Sequence, residues 1–224
     1  MMTIEGNVSA LAVFMIINSI TPGPNNLMLL QGGLKRGYWG CRWHMLGISF
    51  GVVIMLWLSY WGMASFVVEH PTLMQIIKIV GTGYLLWLAY HMAKSDFAQI
   101  VTLAFESKSL NVGNKQRFGE LPLSFWEAVL FQWLNPKAWT MTVVAPTLAI
   151  LTSNLFAAQL GQFKFGLNNW PLLIMCMAIN LICISFWSAG GQQLRRLVTK
   201  PLTMRYVHAF IVLMVVYCAV TLWF

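Results

Sequence analysis

The sequence predicts an all-α membrane protein with about six transmembrane helices, arranged as two inverted repeats of three helices each. Three observations lead to this prediction. Apolar residues make up 58% of the chain and charged residues only 9%, whereas soluble domains carry roughly 25% charged residues. The apolar residues fall into runs of about 20 residues or more, which is enough to cross a bilayer. Prolines interrupt the first and fourth runs near their middles.

The predicted spans cover most of the chain. We place them at residues 8–33, 41–67, 71–94, 123–150, 167–193 and 203–224. The first three form one repeat, at about 8–94, and the last three form the second, at about 123–224. A polar loop at 95–122 joins them, so that residues 1–224 make one transmembrane domain. The N-terminal segment is expected to stay as the first span and not to be cleaved as a signal peptide, because residues 1–7 lack basic residues and the apolar run is too long.

The basic residues predict the topology. The net charge of +8 is better explained by cytoplasmic loops than by a nucleic-acid partner, because Lys and Arg collect on the cytoplasmic side of membrane proteins. Eleven of the fourteen basic residues fall on one set of connectors: Lys35, Arg36, Arg42, Lys94, Lys108, Lys115, Arg117, Arg195, Arg196, Lys200 and Arg205. Only Lys164 falls on the other set. Both termini are therefore expected to be periplasmic, across a bacterial inner membrane.

Polar, proline-containing segments break two spans at corresponding positions. They are Thr21, Pro22, Gly23, Pro24, Asn25 and Asn26 in the first span, and Asn135, Pro136 and Lys137 in the fourth. Proline removes a backbone donor and clashes with the preceding turn. Such a break survives in a bilayer only where protein or a wet cavity satisfies the freed backbone groups. A packing kink explains either break alone, but matched breaks in inverted halves are typical of a transporter's binding site.

Each break is expected to start a half-helix. Asn135 suits the N-cap and Pro136 the first helical position, and Thr21 with Pro22 gives the same signal. The two N-termini each carry about half a positive charge. Lys137 adds a full charge at a depth from which its side chain does not reach the interface. These groups favour a bound carboxylate, although a structural role for Lys137, capping backbone carbonyls, stays open.

Three further polar residues are candidates on the basis of their positions in the spans. Gln132 lies one turn before the second break, and Asn180 lies in the middle of the fifth span. Asn180 either joins helices or lines the pathway. Glu127 is the only acid inside a span. It is a candidate for carrying a coupling proton, and the alternative is a hydrated glutamate at the membrane interface.

The sequence gives no sign of an enzyme, a cofactor or a metal site. The four cysteines, Cys41, Cys176, Cys183 and Cys218, form neither a CxxC motif nor a Cys/His ligand spacing. Nothing in the sequence resembles a nucleophile with its base, a metal-ligand cluster or a phosphate-binding loop. An integral membrane enzyme or a channel-like subunit is the alternative to a transporter. Gly47 and Gly51 form a small-xxx-small pattern that allows close helix packing and permits a homodimer.

Two motifs and one apolar segment carry a family resemblance. The first motif is Thr21-Pro22-Gly23-Pro24-Asn25-Asn26-Leu27 followed by Gly37, Gly40, Gly47 and Gly51; the second runs from Phe131 to Lys137; the segment is Tyr84 to Ala89. Together they resemble the LysE/RhtB family of amino-acid exporters over nearly the whole chain. The Pro-Gly-Pro-Asn-Asn form is most like the exporters of cysteine and O-acetylserine. Glu127 and the long connector at 151–166 depart from the family pattern.

The resemblance implies secondary export of amino acids, coupled to protons. The charged residues of the sequence indicate which amino acids are expected as substrates. No Asp or Glu lies deep enough to pair with a cationic side chain, because Glu127 is about 12 Å from Asn135 along the helix. An unpaired charge of the substrate would be costly to bury. A dicarboxylate would need a second cationic partner. Small neutral amino acids such as cysteine, O-acetylserine, threonine or homoserine are therefore the expected substrates. Membrane lipid is the other expected partner, because it surrounds the apolar spans.

Overall fold

The computed structural model describes residues 4–94, 124–145, 170–197 and 201–223, and every regular element in these ranges is helical. The predicted connectors 95–122 and 151–166 lie outside the described residues. The helices are α1 (Ile4–Ile20), α2 (Pro24–Arg36), α3 (Arg42–Tyr60), α4 (Met63–Glu69), α5 (Pro71–Lys94), α6 (Phe125–Leu134), α7 (136–145), α8 (Trp170–Leu197) and α9 (Pro201–Val220). A short 3-10 turn, Tyr38–Cys41, joins α2 to α3.

Several described helices can cross a membrane. Four stretches are long and apolar enough: Tyr38–Ser59, Pro71–Lys94, Trp170–Leu197 and Leu202–Val220. α1 adds a shorter apolar segment, Ser9–Ile20. The third predicted span coincides with α5, whereas α8 continues to Leu197, so that Arg195 and Arg196 lie in its last turn and not in a connector. The inverted repeat remains a prediction.

The chain breaks at both predicted places, but α2 begins later than expected. Thr21 and Pro22 were predicted as the N-cap and the first helical residue, and this is wrong. Gly23 is the N-cap and Pro24 takes the first helical position, where a proline's missing N–H costs nothing. Thr21 belongs to the end of α1 instead, because its N–H donates to Ile17 O at 3.1 Å and continues the helical pattern.

The second predicted span, 41–67, is also interrupted. α3 ends at Tyr60, and α4 begins at Met63 after a turn in which Gly62 has φ +96°. The N–H groups of Trp61 and Gly62 bond back to the last carbonyls of α3. A glycine in the left-handed region commonly ends a helix in this way. The apolar run alone did not indicate this turn.

Glycines bring four helices together around a shared interior. Gly33 of α2 lies against the backbone of α8, and Gly191 of α8 lies against the backbone of α2, with no room for a Cβ at either position. Gly47 and Gly51 of α3 face α6 in the same way, as the small-xxx-small pattern predicted. Backbones that approach this closely place α2, α3, α6 and α8 around one polar interior.

Candidate functional site

A cavity lies between the two helix breaks. It holds about 330 Å³ of empty space, part of which is open to the surroundings. Its polar lining among the described residues is Asn18, Ser19, Gly23, Asn25, Asn26, Gln132, Asn135, Lys137 and Asn180, and its apolar lining includes Ile48, Val52 and Met141. Of the predicted site residues, Thr21, Pro22 and Pro136 stand in the breaks but do not line the cavity. No Asp or Glu belongs to the lining, as far as the structure describes it.

Lys137 reaches from α7 across to the end of α1. Its ammonium donates to Thr21 O at 2.6 Å, to Thr21 Oγ1 at 2.9 Å and to Pro22 O at 3.3 Å. All three acceptors are neutral oxygens. Gly23 makes room for this side chain, since a Cβ there would lie 2.9 Å from Lys137 Cδ. Lys137 therefore caps freed carbonyls in this structure, and its binding of a carboxylate stays a prediction.

Other side chains satisfy the remaining carbonyls at the end of α1. The amide of Asn26 donates to Ser19 O at 2.9 Å and to Thr21 O at 2.7 Å. The indole of Trp187, on α8, donates to Ile20 O at 3.0 Å. A helix end leaves its last four carbonyls without intrahelical partners. The break is therefore held by donors from other helices, which is what a broken helix in a membrane requires.

The two new helices start differently. The N–H of Lys137 donates to Asn135 Oδ1 at 3.2 Å. Asn135 is therefore the N-cap of α7, as predicted. The N-cap of α2, Gly23, has no side chain to serve in this way. The backbone N–H groups of Asn25 and Asn26, in the first turn of α2, thus have no intrahelical partner. This open N-terminus borders the cavity and favours an anion.

Asn25 and Gln132 join α2 to α6 at the cavity. Asn25 Nδ2 donates to Gln132 Oε1 at 2.8 Å, and Gln132 Nε2 donates to Ala128 O at 2.7 Å. Both side chains are buried. Asn25 Oδ1 is shielded from solvent but has no hydrogen-bond partner among the described residues.

Asn180 ties three helices together beside the same cavity. It accepts a bond from Ser49 Oγ on α3 at 3.0 Å and donates to Ser19 Oγ on α1 at 3.0 Å. All three side chains are buried. Asn180 thus joins helices and also lines the cavity, and its place in a substrate pathway stays a prediction. Sequence reasoning missed Ser19 and Ser49, because an isolated serine in an apolar run gives no pattern, although serines commonly bond across membrane helices.

Glu127 lies away from the cavity, at the exposed start of α6. Its carboxylate accepts from the N–H of Ser124 at 2.7 Å, and its own N–H donates to Ser124 Oγ at 3.4 Å, which forms a capping box. This accounts for the glutamate structurally. Among the described residues, no group of three or more His, Cys, Asp or Glu side chains could hold a metal ion.

The breaks, the cavity and the apolar helices agree with a comparison to known families. The family model of the LysE type translocators matches residues 16–224. This chain belongs to the LysE type translocator family. It is therefore a multi-pass membrane transporter of the bacterial inner membrane and not an enzyme, and the resemblance seen in its motifs is confirmed.

Curated relatives match nearly the full length of the chain. They include the cysteine/O-acetylserine efflux proteins of Escherichia coli (strain K12) and Escherichia coli O1:K1 / APEC, and that of Shigella flexneri serotype 5b (strain 8401). Each is 26% identical over 216 residues, which cover 96% of this chain and 97% of the relative. No solved structure matches the chain significantly.

Proposed function

We propose that this translocator exports small neutral amino acids of the cysteine, O-acetylserine, threonine or homoserine class across the inner membrane, in exchange for protons. The names of its relatives support amino-acid export. The observation that carries the proposal is the charge of the cavity, which has one lysine in its described lining and no acid.

The substrate's carboxylate would bind at the open N-terminus of α2, next to the ammonium of Lys137. The ammonium is now held by oxygens of Thr21 and Pro22, which carry no net charge. The ammonium is ionised, so its bonds to these oxygens are already charge-assisted. A carboxylate in their place adds the attraction between two opposite full charges. The N–H groups of Asn25 and Asn26 point along the helix dipole toward the same position.

The same lining selects against charged side chains. A lysine or arginine substrate would bring a second cation into a cavity without a described acid, and burying that charge unpaired is costly. A dicarboxylate would meet only one lysine.

The two helix breaks suggest how the protein changes conformation during transport. Half-helices that start at corresponding points of inverted halves bind substrate near the midplane, and the halves rock around it. In this scheme both termini are periplasmic. Glu127, at the exposed start of α6, is the candidate for exchanging the coupling proton with the cytoplasm.

Transport by inside-out membrane vesicles tests this proposal. Vesicles that contain the protein should take up labelled O-acetylserine or cysteine when their interior is acidified, and should lose this uptake when a protonophore collapses the gradient. Vesicles from cells with an empty vector are the control. Equal uptake by both kinds of vesicle, for all four neutral amino acids, would contradict the proposed function.

A further inference from the structure

The side-chain amide of Asn25 is held in one orientation. Gln132 Nε2 donates to Ala128 O, so Gln132 must present Oε1 to Asn25. Only Asn25 Nδ2 can donate to that oxygen, and Asn25 Oδ1 is thereby turned away from Gln132. This oxygen is buried and has no partner among the described residues. A buried acceptor without a partner costs free energy that a bound donor would recover.

Most other amide oxygens of the cavity already accept hydrogen bonds. Gln132 Oε1 accepts from Asn25, Asn135 Oδ1 from the N–H of Lys137, and Asn180 Oδ1 from Ser49. Among the amide oxygens of the residues that line the described cavity, Asn25 Oδ1 is the one that is both fully buried and unpartnered. A donor on a ligand in the cavity would give this oxygen the partner that it lacks.

Asn25 also offers a donor close to this acceptor. Its backbone N–H is in the first turn of α2, where it has no intrahelical partner. The ammonium of Lys137 lies next to the same helix start, since a Cβ on Gly23 would be 3.2 Å from Lys137 Nζ. Anion-binding groups and one acceptor thus belong to the same helix start. An α-amino acid carries its carboxylate and its ammonium on a single carbon, so one molecule can present both.

We propose that Asn25 recognises the α-ammonium group of the substrate through Oδ1, while Lys137 and the N-terminus of α2 hold the carboxylate. This rests on the proposed function and adds the role of one residue in specificity. It assigns the two ends of the amino acid to two different side chains, so each end can be tested separately.

Two truncated analogues of cysteine separate the two ends. 3-Mercaptopropionate lacks the amino group, and cysteamine lacks the carboxylate. Each competes, under reducing conditions, with labelled cysteine for uptake into inside-out vesicles. Asn25→Leu should raise the half-saturating concentration of cysteine roughly ten- to a hundredfold and leave the inhibition constant of 3-mercaptopropionate unchanged. Lys137→Met should raise the half-saturating concentration of cysteine by a similar factor and leave the inhibition constant of cysteamine unchanged.

A matched control and a second variant keep the test decisive. Lys78→Met changes a side chain on α5 that does not belong to the described lining of the cavity, so the preference for cysteine over 3-mercaptopropionate should persist. Asn25→Asp keeps an oxygen acceptor and adds charge, so its preference should equal or exceed that of the wild type. Asn25→Asp carries the test if Asn25→Leu does not reach the membrane.

The outcomes distinguish this inference from the proposed function. Wild-type vesicles that take up none of the four neutral amino acids better than empty-vector vesicles would remove the proposed function. Wild-type uptake, together with an Asn25→Leu protein that prefers cysteine over 3-mercaptopropionate as strongly as the wild type, would overturn only the role of Asn25. Loss of that preference in Asn25→Asp would overturn it as well.

Discussion

Replacing Lys137 by methionine removes the single described lysine of the cavity and keeps the length of its side chain. In the proposed site this lysine makes a charge-assisted bond to the substrate, worth about 1.5–3 kcal/mol. The half-saturating substrate concentration should therefore rise roughly ten- to a hundredfold. The variant also withdraws the donor from Pro22 O, which costs about 1–3 kcal/mol of folding free energy, and this loss is offset in part because a buried charge disappears. The variant is expected to fold.

Concentration-dependent uptake of labelled O-acetylserine by inside-out vesicles measures this change, normalised to the amount of protein in the membrane. Lys78→Met is the matched control, because Lys78 lies on α5 and does not belong to the described lining of the cavity. Its half-saturating concentration should stay near that of the wild type. A well-inserted Lys137→Met protein with the wild-type value would refute substrate binding by Lys137 and leave it a structural cap.

Three other predictions concern the position of Lys137, the end of α1 and the topology. Gly23→Ala puts a Cβ 2.9 Å from Lys137 Cδ, so the end of the lysine side chain must move, and transport in the vesicle assay should fall. Gly83→Ala, where the space is open, should have no effect. Equal effects of the two variants would contradict the packing. Asn26→Leu leaves Ser19 O without its amide donor and should destabilise the protein by about 1–3 kcal/mol, measured by thermal unfolding in detergent. Unchanged unfolding would disprove this cap. A C-terminal alkaline phosphatase fusion should be active, and an inactive fusion beside a fluorescent cytoplasmic reporter would reverse the assigned sides.

The helix breaks could be predicted from sequence because their causes are local. Pro22, Pro24 and Pro136 lack backbone N–H groups in any conformation of the chain. Asn135 caps α7 by accepting from the N–H of Lys137, only two residues further along the chain. The turn at Gly62 was missed because a glycine in an apolar run equally suits close helix packing. The positive φ angle of Gly62 depends on the three-dimensional structure and has no signal in the sequence.

The roles of the adjacent asparagines could not be predicted, because they depend on tertiary packing. Successive residues of a helix point about 100° apart. Asn26 therefore meets the carbonyls of α1, whereas Asn25 meets Gln132 on α6. The contacts of Lys137 also depend on packing, since its acceptors, Thr21 and Pro22, are more than a hundred residues away in sequence.

A transporter whose cavity has one lysine and no acid in its described lining should export neutral amino acids and not cationic ones. Cells that express the protein should survive toxic excesses of cysteine, O-acetylserine, threonine or homoserine better than cells with an empty vector. They should gain no protection against a toxic arginine analogue, because its side-chain cation would be buried without a partner. Protection against the arginine analogue, with none against the neutral amino acids, would contradict the account.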